Sequence, residues 1–410
     1  MKCRHCQNEL TLTLIDLGSA PPSNAYLTKL TMRRPEKWFP LTVKVCESCW
    51  LVQAEAYSRA AELFNEEYAY FSSFSDIWLK HASDYVETVV ERFGLGCESH
   101  VVEIASNDGY LLQYVKQRGI PCLGVEPTAS TATAARQKGI ETIEEFFGLS
   151  LAKSLAAQGR QADLVAANNV LAHVLDIDDF VRGFTVLLKP HGVATFEFPH
   201  LMHLIKELQF DTIYHEHFSY LSFTTVCQIF EANSLVVFDV EELETHGGSL
   251  RAFVQRTDTG RQRITANVAE LLAREATAGM RQPQYYRGFQ EQANKVKNDF
   301  LAFLLEARRQ GKTVAAYGAA AKGNTLMNYA GIRPDLIPFV VDRNPAKQGK
   351  FMPGSRIPIV SEEHLKAAQP AYIVIIPWNI REEIMDQLSY VREWGGVFAV
   401  AVPEMKIIRR

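Results

Sequence analysis

The 410-residue chain is long enough for about two to four domains, each with a core of its own. Its 47% hydrophobic and 22% charged composition is that of a soluble globular protein, and no apolar run approaches the roughly 18 residues a membrane span needs. A formal net charge of -4 argues against non-specific nucleic-acid binding, which needs a basic face. The opening Met1-Lys-Cys-Arg-His-Cys6 has no signal-peptide core, so a cytoplasmic chain is expected, its seven cysteines reduced.

Residues 1–55 carry Cys3-x-x-Cys6 and Cys46-x-x-Cys49. Each pair is a thiolate knuckle, and two knuckles complete a tetrahedral zinc site with no open position, hence a structural one. The 39 residues between them (7–45) exceed the usual ribbon spacing of about 15–20 and leave room for a small β module. Cys97, Cys122 and Cys227 lack partner spacing and read as small core residues. From 54 to 92 the pattern is helical and rich in aromatics, broken at 68–76 by a loop-like Tyr-Ala-Tyr-Phe-Ser-Ser-Phe-Ser-Asp. Ser72, Ser73, Ser75 and Lys80 beside the aromatics suggest ligand contact as well as core packing.

Residues 100–112 run from an apolar strand through a small-residue turn into a helix, the opening of a nucleotide-binding unit. A second strand ends on Glu126, 17 residues after Gly109 (126 − 109), a spacing that suits a carboxylate on the two ribose hydroxyls of an adenosine. The loop has one glycine instead of the three that a dinucleotide pyrophosphate needs. S-adenosylmethionine has no phosphate, so the degenerate loop favours it over NAD. The expected cofactor set is Glu103, Ser106, Asn107, Asp108, Gly109, Glu126, Pro127 and Asn169. Strands at 163–170 and 192–198 follow in the order of a class I methyltransferase, and His173 comes just after the carboxyl end of the first of these, where open α/β sheets bind ligands.

Seven of the ten residues in Asp211-Thr-Ile-Tyr-His-Glu-His-Phe-Ser-Tyr220 are aromatic, imidazole or carboxylate, too many for a solvated loop. Tyr214, His215, Glu216 and His217 offer the donors, acceptors and orienting charge of a proton-transfer site. A metal held by His215 and His217 is a competing reading that lacks a third ligand. If the segment is extended the two histidines share a face. In 244–251, His246, Gly247 and Arg251 read as ligands for an anion or hydroxyl. Residues 258–310 read as one long helix or a helical pair, and 313–402 repeat the strand–glycine loop–helix plan. Lys322 and Asn324 in that second loop suit a diphosphate. Asp342 ends the next strand.

End to end the chain resembles the sugar C-methyltransferases of deoxysugar pathways. The resemblance rests on the two cysteine knuckles and on stretches 68–76, 103–109, 168–173, 214–220, 246–249, 317–325 and 342–345. It implies an α/β architecture of zinc module (1–55), class I Rossmann-like methyltransferase domain (56–257) and C-terminal Rossmann-like domain for the nucleotide sugar (258–410). It further implies methylation at C3 of a nucleotide-linked 4-keto-6-deoxysugar through an enolate; the sequence leaves the oligomeric state open and is compatible with a monomer. His217 would be the base, Glu216 its orienting partner, and Tyr214 and His173 donors to the oxyanion. Tyr68 or Tyr70 would close over donor and sugar. Tyr70, His246, Gly247, Arg251, Lys322, Asn324 and Asp342 form the expected substrate set. C5- or O-methylation, and a non-catalytic zinc-ribbon module, are the competing readings.

Overall fold

The computed structural model describes residues 1–57 and 71–409; Tyr68 and Tyr70 lie outside them. β1 (Leu12–Ala20), β2 (Phe39–Val45) and β3 (Val52–Ala54) form an antiparallel sheet in the N-terminal module. β4 (Val101–Ile104), β5 (Cys122–Val125), β6 (Thr142–Ile143), β7 (Ala162–Asn168) and β8 (Leu188–Pro199) then run parallel. β9 (Ser219–Tyr220) returns to the first sheet and pairs with β3. β10 (Leu235–Leu243) and β11 (Ser249–Arg256) complete the central sheet in the order β6-β5-β4-β7-β8-β11-β10, with β11 antiparallel to both neighbours. That is the class I methyltransferase order. It reverses between β4 and β7, so the crevice outside their carboxyl ends is the ligand-binding position.

The segment expected to be one long helix or a pair is a pair, Ala266–Ala278 and Phe289–Arg309, joined through the one-turn Pro283–Tyr286. Beyond it, β12 (Val314–Tyr317), β13 (Val340–Val341), β14 (Ile359–Val360), β15 (Tyr372–Ile375), β16 (Val397–Val400) and β17 (Lys406–Ile408) build the second Rossmann-like sheet. Its order is β14-β13-β12-β15-β16-β17, parallel except for β17.

Burial explains why the parts do not behave as separate beads. One apolar core runs from Leu14, Ile15 and Val43 through Phe210, Ile213 and Phe300 to Leu326, Val340 and Ile376. It therefore joins the first sheet to the last. A second core fills one face of the central sheet, where Phe196 lies 4.5 Å from Phe184 and 4.6 Å from Phe230 between ring centroids. Each such buried ring is worth about 1.5–3 kcal/mol. Cys97 departs from its expected core placement and is exposed, because it sits in the turn after helix Asp76–Phe93.

The segment around Tyr214 is not extended. Phe210–Thr212 forms a single 3₁₀ turn, and the His217 N–H donates to the Tyr214 carbonyl at 2.9 Å, closing a second turn. Those turns part the two histidines that an extended chain would have aligned.

Candidate active site

A cavity of about 590 Å³ opens outside the carboxyl ends of β4, β5 and β7. From the expected residues it gathers Asn107, Glu126, Pro127, Asn169, His173, Tyr214, Glu216, His217, His246 and Lys322 in its walls. Ser72, marked in the sequence for ligand contact, joins them just before the first long helix, and Asn24 from the N-terminal module, Trp78 in that helix and Lys347 from the C-terminal domain complete the lining. Asn24 follows Pro21-Pro22-Ser23 and Lys347 follows Asn344-Pro345, turn sequences whose polar residues were the available signal.

At its centre, His217 and Tyr214 have ring centroids 4.0 Å apart, and His217 and His173 4.7 Å. His217 Nδ1 lies 2.9 Å from the Thr212 carbonyl, and His173 Nδ1 2.7 Å from the Glu216 carbonyl. A carbonyl only accepts, so each Nδ1 carries the proton, and the neutral ring of His217 keeps its lone pair on Nε2. Burial, with His173 alongside, holds the His217 pKa well below the usual value. Burial likewise brings His173 and His246 down to about 4. Both imidazoles at the centre are therefore neutral at pH 7.

The Glu216 side chain departs from its expected role of orienting His217. Its Oε1 accepts from the Asn24 N–H and side-chain amide, both at 3.2 Å, while Oε2 is buried with no partner among the described residues. Burial raises its pKa. The group that orients His217 is the Thr212 carbonyl. His215 turns the other way, its Nε2 3.2 Å from the Pro40 carbonyl, and the only metal-competent cluster among the described residues is the four cysteines. The two-histidine metal reading thus fails on geometry.

The cofactor loop is held in an unusual backbone. Ala105, Asn107 and Gly109 all have positive φ, of 57°, 49° and 74°, as does Asn169 at 54° across the crevice. Only one of the four is glycine, and such strain at non-glycine residues collects at ligand sites. Gly109 itself stays out of the cavity: a Cβ there would meet Ile140 Cδ1 at 2.4 Å, so its bareness serves helix packing. Glu103, Ser106 and Asp108 are buried just behind the wall. Burial lifts the Glu103 pKa well above normal, and Asp108 and Glu126 add to this. Glu126 accepts from the N–H groups of Asn107 at 3.0 Å and Thr128 at 2.9 Å, so it braces the loop while facing the cavity. Asn168 and Asn169 each bury a side-chain oxygen without a partner among the described residues. Clustered carboxylates and buried acceptors fit S-adenosylmethionine, a ligand with ammonium, sulfonium and ribose hydroxyls. Glu126→Ala should weaken its binding by about 1–3 kcal/mol and also loosen the loop. Unchanged affinity by calorimetry would take Glu126 off the ribose.

Four expected substrate residues lie outside the cavity. Arg251 is buried against Glu197 at 2.7 Å and His81 at 3.1 Å, beneath the site. Gly247 abuts Trp378, and a Cβ there would come within 2.5 Å of the indole. Asn324 is buried and accepts from Asn328. Asp342 accepts from the N–H groups of Ala319 at 2.8 Å and Asn344 at 2.8 Å, which fixes the second glycine loop. Lys322 does reach the cavity, 2.7 Å from Asn379 Oδ1 and 4.4 Å over the Trp378 ring.

In the N-terminal module, Cys3 and Cys49 sulfurs are 3.5 Å apart, Cys6 and Cys46 3.4 Å, and all four lie within 4.8 Å of one another. Zinc–sulfur bonds of about 2.3 Å in a tetrahedron separate sulfurs by roughly 3.8 Å, so the cluster fits zinc. Gln7 and Trp50, each one residue past a knuckle, share a left-handed φ of 62° and 63°, and their N–H groups donate to the carbonyls of Cys3 and Cys46. The zinc is structural.

Family models match the chain in three places: a zinc binding domain over residues 3–64, a methyltransferase domain over 78–240 and a C-methyltransferase C-terminal domain over 244–403. The C-methyltransferase NovU of Streptomyces niveus is 36% identical over 407 residues, 99% of this chain and 96% of its own. A ubiquinone biosynthesis O-methyltransferase of Chelativorans matches at 28% over 94 residues, 23% of this chain and 37% of that one. Among solved structures, an S-adenosylmethionine-dependent methyltransferase from Clostridium acetobutylicum covers 43% of this chain and 92% of its own at 12% identity and a TM-score of 0.36. The near full-length match to a C-methyltransferase, on a class I fold with a four-cysteine module, makes this chain a member of the S-adenosylmethionine-dependent C-methyltransferase family.

Proposed function

We propose that the enzyme methylates C3 of a nucleotide-linked 4-keto-6-deoxysugar, with His217 as base. The observation that carries this reading is the Thr212 carbonyl on His217 Nδ1, which leaves Nε2 of a neutral ring as proton acceptor at the cavity wall. Carbon beside a ketone becomes a nucleophile only when its proton leaves and the charge spreads onto oxygen. His217 Nε2 takes the C3 proton. The Tyr214 hydroxyl stabilises the enolate oxygen, whereas neutral His173, its one ring proton given to the Glu216 carbonyl, departs from the donor role expected of it. Bound S-adenosylmethionine supplies an electrophilic methyl group at its sulfonium. Asn169, Asn107 and Glu126 hold that donor at the crevice, and Lys322 takes the diphosphate at the far wall. In this reading residues 1–55 are the zinc module, 56–257 the donor domain and 258–410 the nucleotide-sugar domain. The test is mass spectrometry of products from a panel of dTDP-, GDP- and CDP-linked 4-keto-6-deoxysugars. One added methyl on carbon supports the reading, and no product from any of them refutes it.

A second reading has one observation in its favour. Glu216 Oε2 is buried at the cavity wall with a raised pKa, which suits a carboxylate base. Glu216→Gln should leave C3 proton exchange in place if His217 is the base, and should stop it if Glu216 is.

The diphosphate assignment makes a separate prediction. Lys322→Ala should raise KM for the sugar nucleotide with kcat much less affected, because the contact is remote from the reacting carbon and equal in ground and transition states. An effect confined to the affinity for S-adenosylmethionine would move the methyl donor to the C-terminal domain.

A further inference from the structure

The 3₁₀ turn whose carbonyl orients His217 is gripped by the C-terminal domain on both sides. Before Thr212, the Asp211 carboxylate accepts from the Trp378 indole N–H at 2.8 Å. After it, the Ile213 carbonyl accepts from the Thr325 hydroxyl at 2.7 Å. Asp211, Ile213 and Thr325 are nearly or wholly buried, so neither bond is a surface accident. Trp378 is itself wedged in place. The left-handed Gly247, with φ of 87°, presses on one part of the ring, and Lys322 lies 4.4 Å over it. Lys322 and Thr325 share the helix Ala321–Tyr329, one turn apart.

We propose that Trp378 and Thr325 are positioning residues for the reaction: they hold Asp211 and Ile213, and through them the Thr212 carbonyl that aims His217. The C-terminal domain then has two tasks, binding the nucleotide end of the substrate and registering the base against the sugar. This rests on the reading of His217 as base. A shared core would join the domains without either bond. Two hydrogen bonds to the residues on either side of one carbonyl do more, because anchoring both neighbours narrows the range through which that carbonyl can tilt.

The test uses the full-length zinc-loaded enzyme and whichever nucleotide-linked 4-keto-6-deoxysugar of the panel it turns over. Trp378→Phe keeps a ring beneath Lys322 and removes the indole N–H; Thr325→Val removes the hydroxyl; Thr325→Ser restores it. C3 deuterium exchange, kcat, both KM values and the melting midpoint are measured for each. Trp378→Phe and Thr325→Val should each slow exchange and kcat about 10-fold, with KM nearly unchanged, since small misplacements of a reacting group cost up to about 10²-fold. Thr325→Ser should recover most of the rate. Wild-type exchange in the folded variants, a rise in KM alone, or a Thr325→Ser enzyme as slow as Thr325→Val would each overturn the proposal. If one variant fails to fold, the other residue decides. His217→Ala run alongside separates the two claims: exchange in that variant removes the base reading itself, whatever the positioning variants do.

Discussion

His217→Ala should lower kcat by about 10²–10⁴, the usual worth of a positioned general base. It should also abolish C3 proton exchange and leave S-adenosylmethionine binding intact, because the donor loop at 105–109 is not built on that side chain. Tyr214→Phe should slow methylation and keep partial exchange, since it removes an oxyanion donor and spares the base. The pH profile adds an independent check. With the His217 pKa held well below its ordinary value, the ring stays neutral through the whole range near pH 6.5. An acid limb in the exchange rate at the ordinary histidine pKa would therefore argue against it. A limb at a raised carboxylate pKa would implicate Glu216, whose pKa burial pushes up. Exchange at the wild-type rate in His217→Ala would put the base elsewhere, and Glu216 and His173 would be next to test.

The other large effect concerns the zinc. Cys46→Ser should give insoluble protein, and metal analysis of the folded wild type should find one zinc per chain. Structural zinc contributes roughly 10–16 kcal/mol to folding in small modules, so losing one of four ligands removes more than a domain's usual margin. Here the damage would reach the active site. Arg4, inside the first knuckle, donates to the carbonyls of Phe218 and of Ala54, the latter at 2.9 Å, and β3 pairs with β9 directly after His217. The module thus packs beside the turn that carries His217 as well as being a fold of its own. Soluble, cooperatively melting wild-type protein without zinc would contradict this.

Much of the architecture was legible in the sequence. The cysteine knuckles, the class I strand order and the second glycine-loop fold follow from local spacing and apolar strands, and local spacing survives folding. The site was legible only in part. The sequence marked Tyr214, Glu216 and His217 by their composition, yet two turns set their directions, and an extended reading of 211–220 could not separate His215 from His217. The partner of His217 is a backbone carbonyl, which every residue possesses and no side-chain pattern announces. Arg251 looked like a ligand for its place in a glycine-flanked polar cluster and Asp342 as the acid that ends a strand, yet each finds its partner within the protein. Asn24, Thr325 and Trp378 come to the site from 192, 112 and 167 residues away from their partners, beyond the reach of any local pattern. Membership in a C-methyltransferase family also sets aside the non-catalytic module and favours attack by carbon over attack by a hydroxyl oxygen.

Carbon chemistry through an enolate can be watched before any methyl group moves. Wild-type enzyme, a nucleotide-linked 4-keto-6-deoxysugar that it methylates and S-adenosylhomocysteine are mixed in deuterium oxide, and the sugar protons are followed by NMR. The C3 proton signal should disappear while the C5 signal persists, and the rate should collapse in His217→Ala. Retention of the C3 proton, with exchange at C5 or a methyl group later found on oxygen, would contradict the C3 enolate at the centre of the mechanism.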